Sequence, residues 1–273
     1  MLPSEIEAIE RATLLAVSPQ AQAELPGWLL PFDPGTVGRA RSAFPLTHTA
    51  PASTALREIE AVYARRGFPV MLRIPVLAPF DAFRSSLLDQ GYREETLTEV
   101  CTSTPLPMLA VSDAQPCELQ PAPNASWASV FLGEGFDPID GASRVHKLGQ
   151  AAGSVFATVW EEGRPVAAGA AAFSHGWASV HGMRTASDSR RRGLAGRVLA
   201  TLARAALARG YDKVFLQVAV ENAGAKSLYR RAGFERAWAY SYWRKPAPNA
   251  SSPSEASRPT WRYDGCQSKK VQA

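Results

Sequence analysis

HGMRTASDSRRRGLAGRVLATLARAALARGYDKVFLQVAVENAGAKSLYRRAGF, residues 181–234, passes from strand to turn to helix to strand to helix. Val180, Gly182 and Met183 fit the end of a strand, and 186–192 is polar and turn-like. From Gly193 the period changes: Leu194, Val198, Leu199, Leu202 and Ala206 fall on one helical face, with Arg197, Arg204 and Arg209 outside it. Gly210 is the residue expected just past a helix C-terminus, and Arg209 suits the negative end of the dipole. Residues 213–220 then alternate, with Val214, Leu216, Val218 and Val220 on one side. Asn222 can cap a second helix that buries Ala225, Leu228 and Ala232 and stops at Gly233.

The turn carries the chemistry. Arg190, Arg191, Arg192, Gly193, Leu194, Ala195 and Gly196 lead straight into a helix N-terminus, where free N–H groups and the positive dipole end favour an anion. Gly193 and the small Ala195 and Gly196 would let a phosphate approach the backbone. The dipole end stabilises such a group by roughly 0.3–1 kcal/mol, and up to about 2 when partly buried. The arginines add charge-assisted bonds, so a diphosphate is the natural ligand.

Arg190, Gly193 and Ala195 meet the pattern Arg/Gln-x-x-Gly-x-Gly/Ala. After them comes Asn222-x-x-Ala225-x-x-Leu228-Tyr229-x-x-x-Gly233-Phe234. In this order, separated by one helix and one strand, the two resemble the acetyl-CoA signatures of the GNAT N-acetyltransferase superfamily. The resemblance covers roughly residues 117–245. It implies that the turn from Arg190 to Gly196 holds the diphosphate of acetyl-CoA, and that Met183, Arg184 and Thr185 pair their backbone with the pantetheine arm. It further implies that this strand and the next splay apart around the arm, that Asn222 and Ala225 contact the cofactor, and that Tyr229 protonates the departing thiolate. A phenol of pKa about 10 can donate to a nascent thiolate whose conjugate acid lies near 8.5.

The general base is less legible. Many relatives place a glutamate on the strand before the turn. Here simple alternation puts Trp177, Ser179, His181, Met183 and Thr185 on one face, with no carboxylate. His181 titrates near neutrality and can serve; Glu134 and Glu221 are further candidates, and attack by an amine delivered neutral needs no base.

The chain has 273 residues, 46% of them hydrophobic and 20% charged, with a net charge of +5, as expected of an ordinary globular chain. No apolar run approaches the ~18 residues of a transmembrane helix, so no membrane partner is expected. The acidic, amphipathic start is unlike a signal peptide. Cys101, Cys117 and Cys266 lie far apart, suggesting reduced thiols in a cytoplasm and no metal site.

Before the signature region, 4–17, 55–66 and 79–90 read as helices, 27–30, 69–76 and 92–102 as strands (69–76 at an edge), and 31–51 as loop or short strands. Phe80, Phe83, Leu87 and Leu88 are expected to face inward. Ser85–Tyr92 followed by a strand resembles Lys226–Phe234 followed by a strand, with Leu88 where the later copy has Tyr229. No phosphate turn precedes Ser103. The expected organisation is therefore α/β (α+β): tandem GNAT-like domains, each a mixed, mostly antiparallel twisted sheet flanked by helices, with the cofactor between splayed strands of the second. Residues 1–103 form a degenerate first domain, 104–116 a linker, 117–245 the acetyltransferase domain and 246–273 a disordered tail. Within the second domain, 124–132 reads as a helix and 133–141 as a loop whose Glu134, Asp137 and Asp140 can greet a cationic amine; 154–160, 165–173, 177–185 and 237–244 read as strands.

The function expected is an acyl-CoA-dependent N-acetyltransferase acting on a primary amine by direct attack in a ternary complex, as monomer or homodimer, without nucleic acid or metal. The alternatives are a non-catalytic acyl-CoA-binding or partner-docking protein, and nucleic-acid binding through Arg190–Arg192 and Arg197. The absence of Gly-Lys-Ser/Thr at the turn disfavours nucleotide hydrolysis, and the absence of Gly-x-Gly-x-x-Gly after a strand disfavours a dinucleotide dehydrogenase.

Overall fold

The computed structural model describes residues 1–246; beyond its first residue, the expected tail lies outside them, as does Cys266. Helix α1 (Pro3–Val17) is followed by a small antiparallel sheet of β1 (Ala21–Leu25), β2 (Trp28–Phe32) and β3 (Phe44–Pro45). A 3-10 turn at Gly38–Ala40 interrupts the 31–51 region. Next come α2 (Ala55–Arg65), β4 (Met71–Pro75), α3 (Asp81–Asp89) and β5 (Arg93–Ser103). Then follow α4 (Pro105–Leu109), β6 (Glu118–Gln120), α5 (Ala125–Phe131), α6 (Pro138–Gly149), β7 (Val155–Glu161), β8 (Arg164–Ser174) and β9 (Trp177–Thr185). The chain ends with α7 (Leu194–Ala208), β10 (Val214–Ala219), α8 (Ala223–Arg231) and β11 (Glu235–Arg244).

One sheet spans both halves, in the order β4-β11-β5-β10-β9-β8-β7-β6. Among the described residues β9 and β10 are the sole parallel pair in it; the other neighbours are antiparallel. β4 lies at the edge, as its Pro75 requires. The units β4–α3–β5 and β10–α8–β11 interlock: β11 sits between β4 and β5, and β5 sits between β10 and β11. The two helices close alike. Tyr92 N–H donates to Leu87 O and Phe234 N–H to Tyr229 O, both at 2.9 Å, around Gly91 (φ +81°) and Gly233 (φ +73°). This sets Leu87, not Leu88, opposite Tyr229. Leu87 is fully buried, while Leu88 turns outward at 59% exposure, against the expected inward reading.

The two faces of the sheet carry separate cores. Over one face α7 packs Val198, Leu199 and Leu202 onto Ala167, Ala171, Val180, Val214 and Leu216. Each such side chain contributes about 1.5–3 kcal/mol by burial. Over the other, α1 covers Trp177, Phe215, Val100, Trp238 and Tyr240, and α5 brings Trp127 and Phe131 onto Phe156, Ala168 and Ala170. Leu72 and Ile74 of β4 join α2 and α3 in a third core. β10 shows why the alternation mattered: Val214, Leu216 and Val218 face α7, while Phe215 faces α1.

Two expectations change. Residues 104–116 are not bare linker, because α4 buries Met108 against α7 and Arg197 Nε donates to Gln115 O at 2.7 Å. Residues 138–141, read as the end of a loop, are the first turn of helix α6 (Pro138–Gly149). Asp137 caps it, accepting from Ile139 and Asp140 N–H, and Pro138 fills the first turn. Gly141 within it is demanded by packing, since a Cβ there would lie 2.5 Å from Phe131 O.

Candidate active site

The ladder between β9 and β10 runs from Val214↔Ala178 to Leu216↔Val180 and, among the described residues, goes no further. Past that point β9 stays with β8 (Ala168↔Arg184, Ala167↔Thr185) and β10 stays with β5 (Gln217↔Val100, Ala219↔Thr98). The edges of Gly182–Thr185 and Gln217–Ala219 that face one another are thus free of ladder bonds. This is the splay between strands expected from the signatures, with Met183, Arg184 and Thr185 on its edge.

A bulge sharpens the opening. The β8–β9 register slips between Ala168↔Arg184 and Ala170↔His181, and Gly182 takes φ +59°. The slip breaks simple alternation, so His181 and Met183 do not share a face. His181 meets the Phe215 ring on the α1 side, with centroids 6.4 Å apart. Met183 turns to α7, where its sulfur and Val198 Cγ1 each lie 2.6 Å from where a Cβ on Gly169 would stand. Trp127 Nε1 donates to Gly169 O at 3.0 Å and locks the β8 side.

The start of α7 packs against the free β9 edge, where Met183 lies beside Val198. Gly193 is its N-cap at φ +80°, no side chain caps it, and no acidic residue stands in its first turn. The first helical bond is Arg197 N–H to Gly193 O, at 3.1 Å, leaving Leu194, Ala195 and Gly196 N–H ahead of the helical ladder. A Cβ at Gly193 would meet nothing within 4 Å, so the approach is open. Gly196 has another reason to be small. A Cβ there would lie 3.2 Å from Val111 O, so the segment after α4, not a ligand, occupies that side. Arg190, Arg191 and Arg192 are exposed. Arg192 pairs with Glu161 at 2.8 Å, while Arg190 and Arg191 form no ion pair among the described residues.

α8 packs beside the first turn of α7, where Leu228 Cδ1 would lie 3.8 Å from a Cβ on Gly196. Asn222 Oδ1 accepts from Ala225 N–H at 3.1 Å, which leaves the side-chain NH₂ for a ligand. Ala225 and Leu228 are half-buried against the α7 core. Tyr229 is 8% exposed, its ring edge-on to Phe234 with centroids 5.8 Å apart. It also borders a groove of about 500 Å³ lined by Glu99, Cys101, Val218 and Arg236.

His181 is placed differently from a general base. Arg39 Nη1 lies 3.0 Å from its Nδ1. A guanidinium only donates, so Nδ1 accepts and the neutral ring carries its proton on Nε2. Nε2 is buried without a hydrogen-bond partner among the described residues. Burial, reinforced by the Arg39 charge, holds the His181 pKa well below 6.5. Glu134 and Glu221 are exposed. Asp140, expected to greet an amine, is buried and taken: Arg144 Nε at 2.6 Å, Arg184 Nη2 at 3.5 Å and Thr36 Oγ1 at 3.0 Å surround it.

Residues 3–243 match the family described as "Probable histone acetyltransferase Rv0428c C-terminal". The chain belongs to this acetyltransferase family. It is thereby a GNAT-type N-acetyltransferase, and the match runs through both halves. A curated relative, the uncharacterized N-acetyltransferase YobR of Bacillus subtilis, is 25% identical over 238 residues, covering 84% of this chain and 94% of the relative. The fold is shared with a GCN5-related N-acetyltransferase from Kribbella flavida (20% identity, TM-score 0.63, covering 89% of this chain and 96% of that one). It is also shared with a tandem GNAT protein from the clavulanic acid biosynthesis pathway (14% identity, TM-score 0.54, covering 88% and 94%).

Within this acetyltransferase, sequence reasoning missed Arg39, the bulge and the Val111 contact. Gly182 inside a strand was the available signal for the bulge. Arg39 lies in the irregular 31–51 stretch, where no period marks which side chains turn inward.

Proposed function

We propose that the enzyme transfers an acetyl group from acetyl-CoA to a primary amine by direct attack in a ternary complex. The observation that carries this reading is the coincidence of two features: the β9–β10 ladder stops at Leu216↔Val180, and the free edge beyond it, at Met183, packs against the first turns of the uncapped helix α7. The amides of Leu194 to Gly196, with Arg190 and Arg191, take the diphosphate. The free edge of Met183–Thr185 pairs with the pantetheine arm, and Asn222 adds its side-chain NH₂. Backbone N–H groups at the bulge polarise the thioester carbonyl, and Tyr229 protonates the thiolate. His181, with its proton on Nε2, has no lone pair to offer, so the amine attacks in its neutral form. For a lysine-like amine that form is on the order of one in a thousand at pH 7.

The interlocked units β4–α3–β5 and β10–α8–β11 support a tandem origin, with 1–103 the copy lacking a phosphate turn. That arrangement lets a single chain form the paired sheet, and the enzyme works in the cytoplasm as monomer or homodimer.

Calorimetric titration with acetyl-CoA tests the cofactor site. The unaltered enzyme is expected to bind in the micromolar range and Gly193→Asp to lose binding, because a carboxylate would stand where the phosphates sit. Equal affinity in both proteins would refute the placement.

A further inference from the structure

Where β9 leaves β10, the α1 face of the sheet carries three guanidinium groups and one carboxylate. Arg39 comes from the turn after β2, Arg144 from α6 and Arg184 from β9. Asp140 holds Arg144 at 2.6 Å and Arg184 at 3.5 Å, both through Oδ2, and its Oδ1 accepts from Thr36 at 3.0 Å. Its charge is spent on those two. Arg184 is further clamped over the Phe136 and Phe131 rings, at 4.1 and 4.7 Å from their centroids.

Arg39 has no such counter-charge. It forms no ion pair among the described residues, and its one hydrogen-bond partner there is His181 Nδ1 at 3.0 Å. His181 is the residue directly after Val180, the last of β9 to pair with β10. Arg39 is therefore tied to the mouth of the splay. Burial lowers its pKa from the usual range, opposed by Tyr240 and Tyr242 and reinforced by the like charges of Arg144 and Arg73. Arg39 is half-buried, and a cation partly withdrawn from water without a counter-charge is disfavoured. If the task were only to fix the His181 ring, a neutral donor would do it without that cost. The arrangement makes physical sense when the missing negative charge arrives with a ligand.

We infer that this cluster receives an anionic group on the acceptor, so that the amine acetylated belongs to a small molecule carrying a carboxylate or a phosphate. This rests on the acetyltransfer reading above and names the acceptor class for the same site. Arg39 binds the anion and sets specificity; Arg144 and Arg184, already shared with Asp140, add field. A lysine-rich peptide would bring more positive charge to a site that already has an excess.

The test is the initial rate of CoA-thiol release with matched acceptors: amino acids against their amides, phosphoethanolamine against ethanolamine, and a lysine-rich peptide, in the unaltered enzyme and in Arg39→Gln. The acidic member of at least one pair is expected to react with kcat/KM about 10- to 100-fold above its neutral partner, as loss of a charge-assisted pair implies. Arg39→Gln is expected to remove that preference by raising KM. The two pairs separate a carboxylate from a phosphate source. Neutral members or the peptide reacting as well as the acids, or Arg39→Gln slowing acid and neutral members alike, would overturn the inference.

Acetyl-CoA titration of the same preparations separates the failures. Binding retained without an acid preference overturns this inference alone, whereas no binding in the unaltered enzyme overturns the reading beneath it. Arg39→Lys, which keeps the charge but not the planar fork, is expected to retain part of the preference; a preference lost equally in the Lys and Gln variants would show that charge is not what the site reads.

Discussion

Two side chains define what the chemistry can be. Tyr229 lies 8% exposed beside Phe234, positioned by a closing turn like the one that follows Leu87 at the end of α3. Tyr229→Phe removes one oxygen and keeps the ring, so turnover is expected to fall about 10²- to 10⁴-fold, the range for a positioned proton donor. Acetyl-CoA affinity should hardly change; steady-state rates set against calorimetry separate the two. His181 receives a hydrogen bond from Arg39, and under the proposed mechanism the amine loses its proton to solvent. With no enzyme base titrating, kcat/KM is expected to climb about tenfold per pH unit from 7 to 9 for an alkylamine acceptor. A plateau beginning near pH 7 would mean that an enzyme group takes the proton.

At the scale of elements, the β9 bulge and the α7 N-terminus do the positioning. Gly182 holds φ +59°, and a Cβ there would lie 2.9 Å from Phe131 Cζ and 3.0 Å from Leu148 Cδ1. Gly182→Ala therefore combines backbone strain with overpacking, each worth about 1–3 kcal/mol. A clear drop in melting temperature is expected, with turnover falling further than the loss of folded protein explains. Denaturant titration and single-turnover rates on the same sample read both. Strands and helices with a clear period were legible in the sequence, from α1 through β10 and α8. So was the start of α7 at Gly193, because the glycine, the arginines before it and the helix after it are contiguous. Helix α6 was not: its apolar spacing is thin, and Gly141 and Asp140 read as loop, although Asp137-Pro138 is a helix-start signal. The bulge hid for a related reason, since alternation carries no mark of a slipped register. Arg39 meets His181, and Thr36 meets Asp140, across more than a hundred residues of sequence, which no local pattern records.

For the molecule as a whole, buried neutral imidazoles couple stability to acid. Burial brings the His48 pKa down to about 4, where the ring packs against Trp238 with centroids 5.0 Å apart, and burial with Arg39 holds His181 well below 6.5. The unfolded chain takes up both protons below pH 6.5, whereas the folded chain resists them, so stability is fully present above about 6.5 and is lost as the pH falls towards 4. The melting temperature is expected to drop between pH 7 and pH 5, and His48→Gln to make that drop shallower. An unchanged slope in the variant would show that His48 is not part of the linkage.

The interlocked strands also govern how the chain comes into being. β5 takes its place between β10 and β11, so when it leaves the ribosome neither neighbour exists, and everything from 104 to 213 must be translated before the first of them appears. Until then Val100 and Cys101, both buried in the finished enzyme, stand on a strand with two open edges. The nascent first half cannot complete its sheet on its own, and the second half synthesised without it would have no strand to separate β10 from β11. Such distant pairings close late and slowly, so this protein should mature after release from the ribosome, all at once, and should depend on chaperones more than its size suggests.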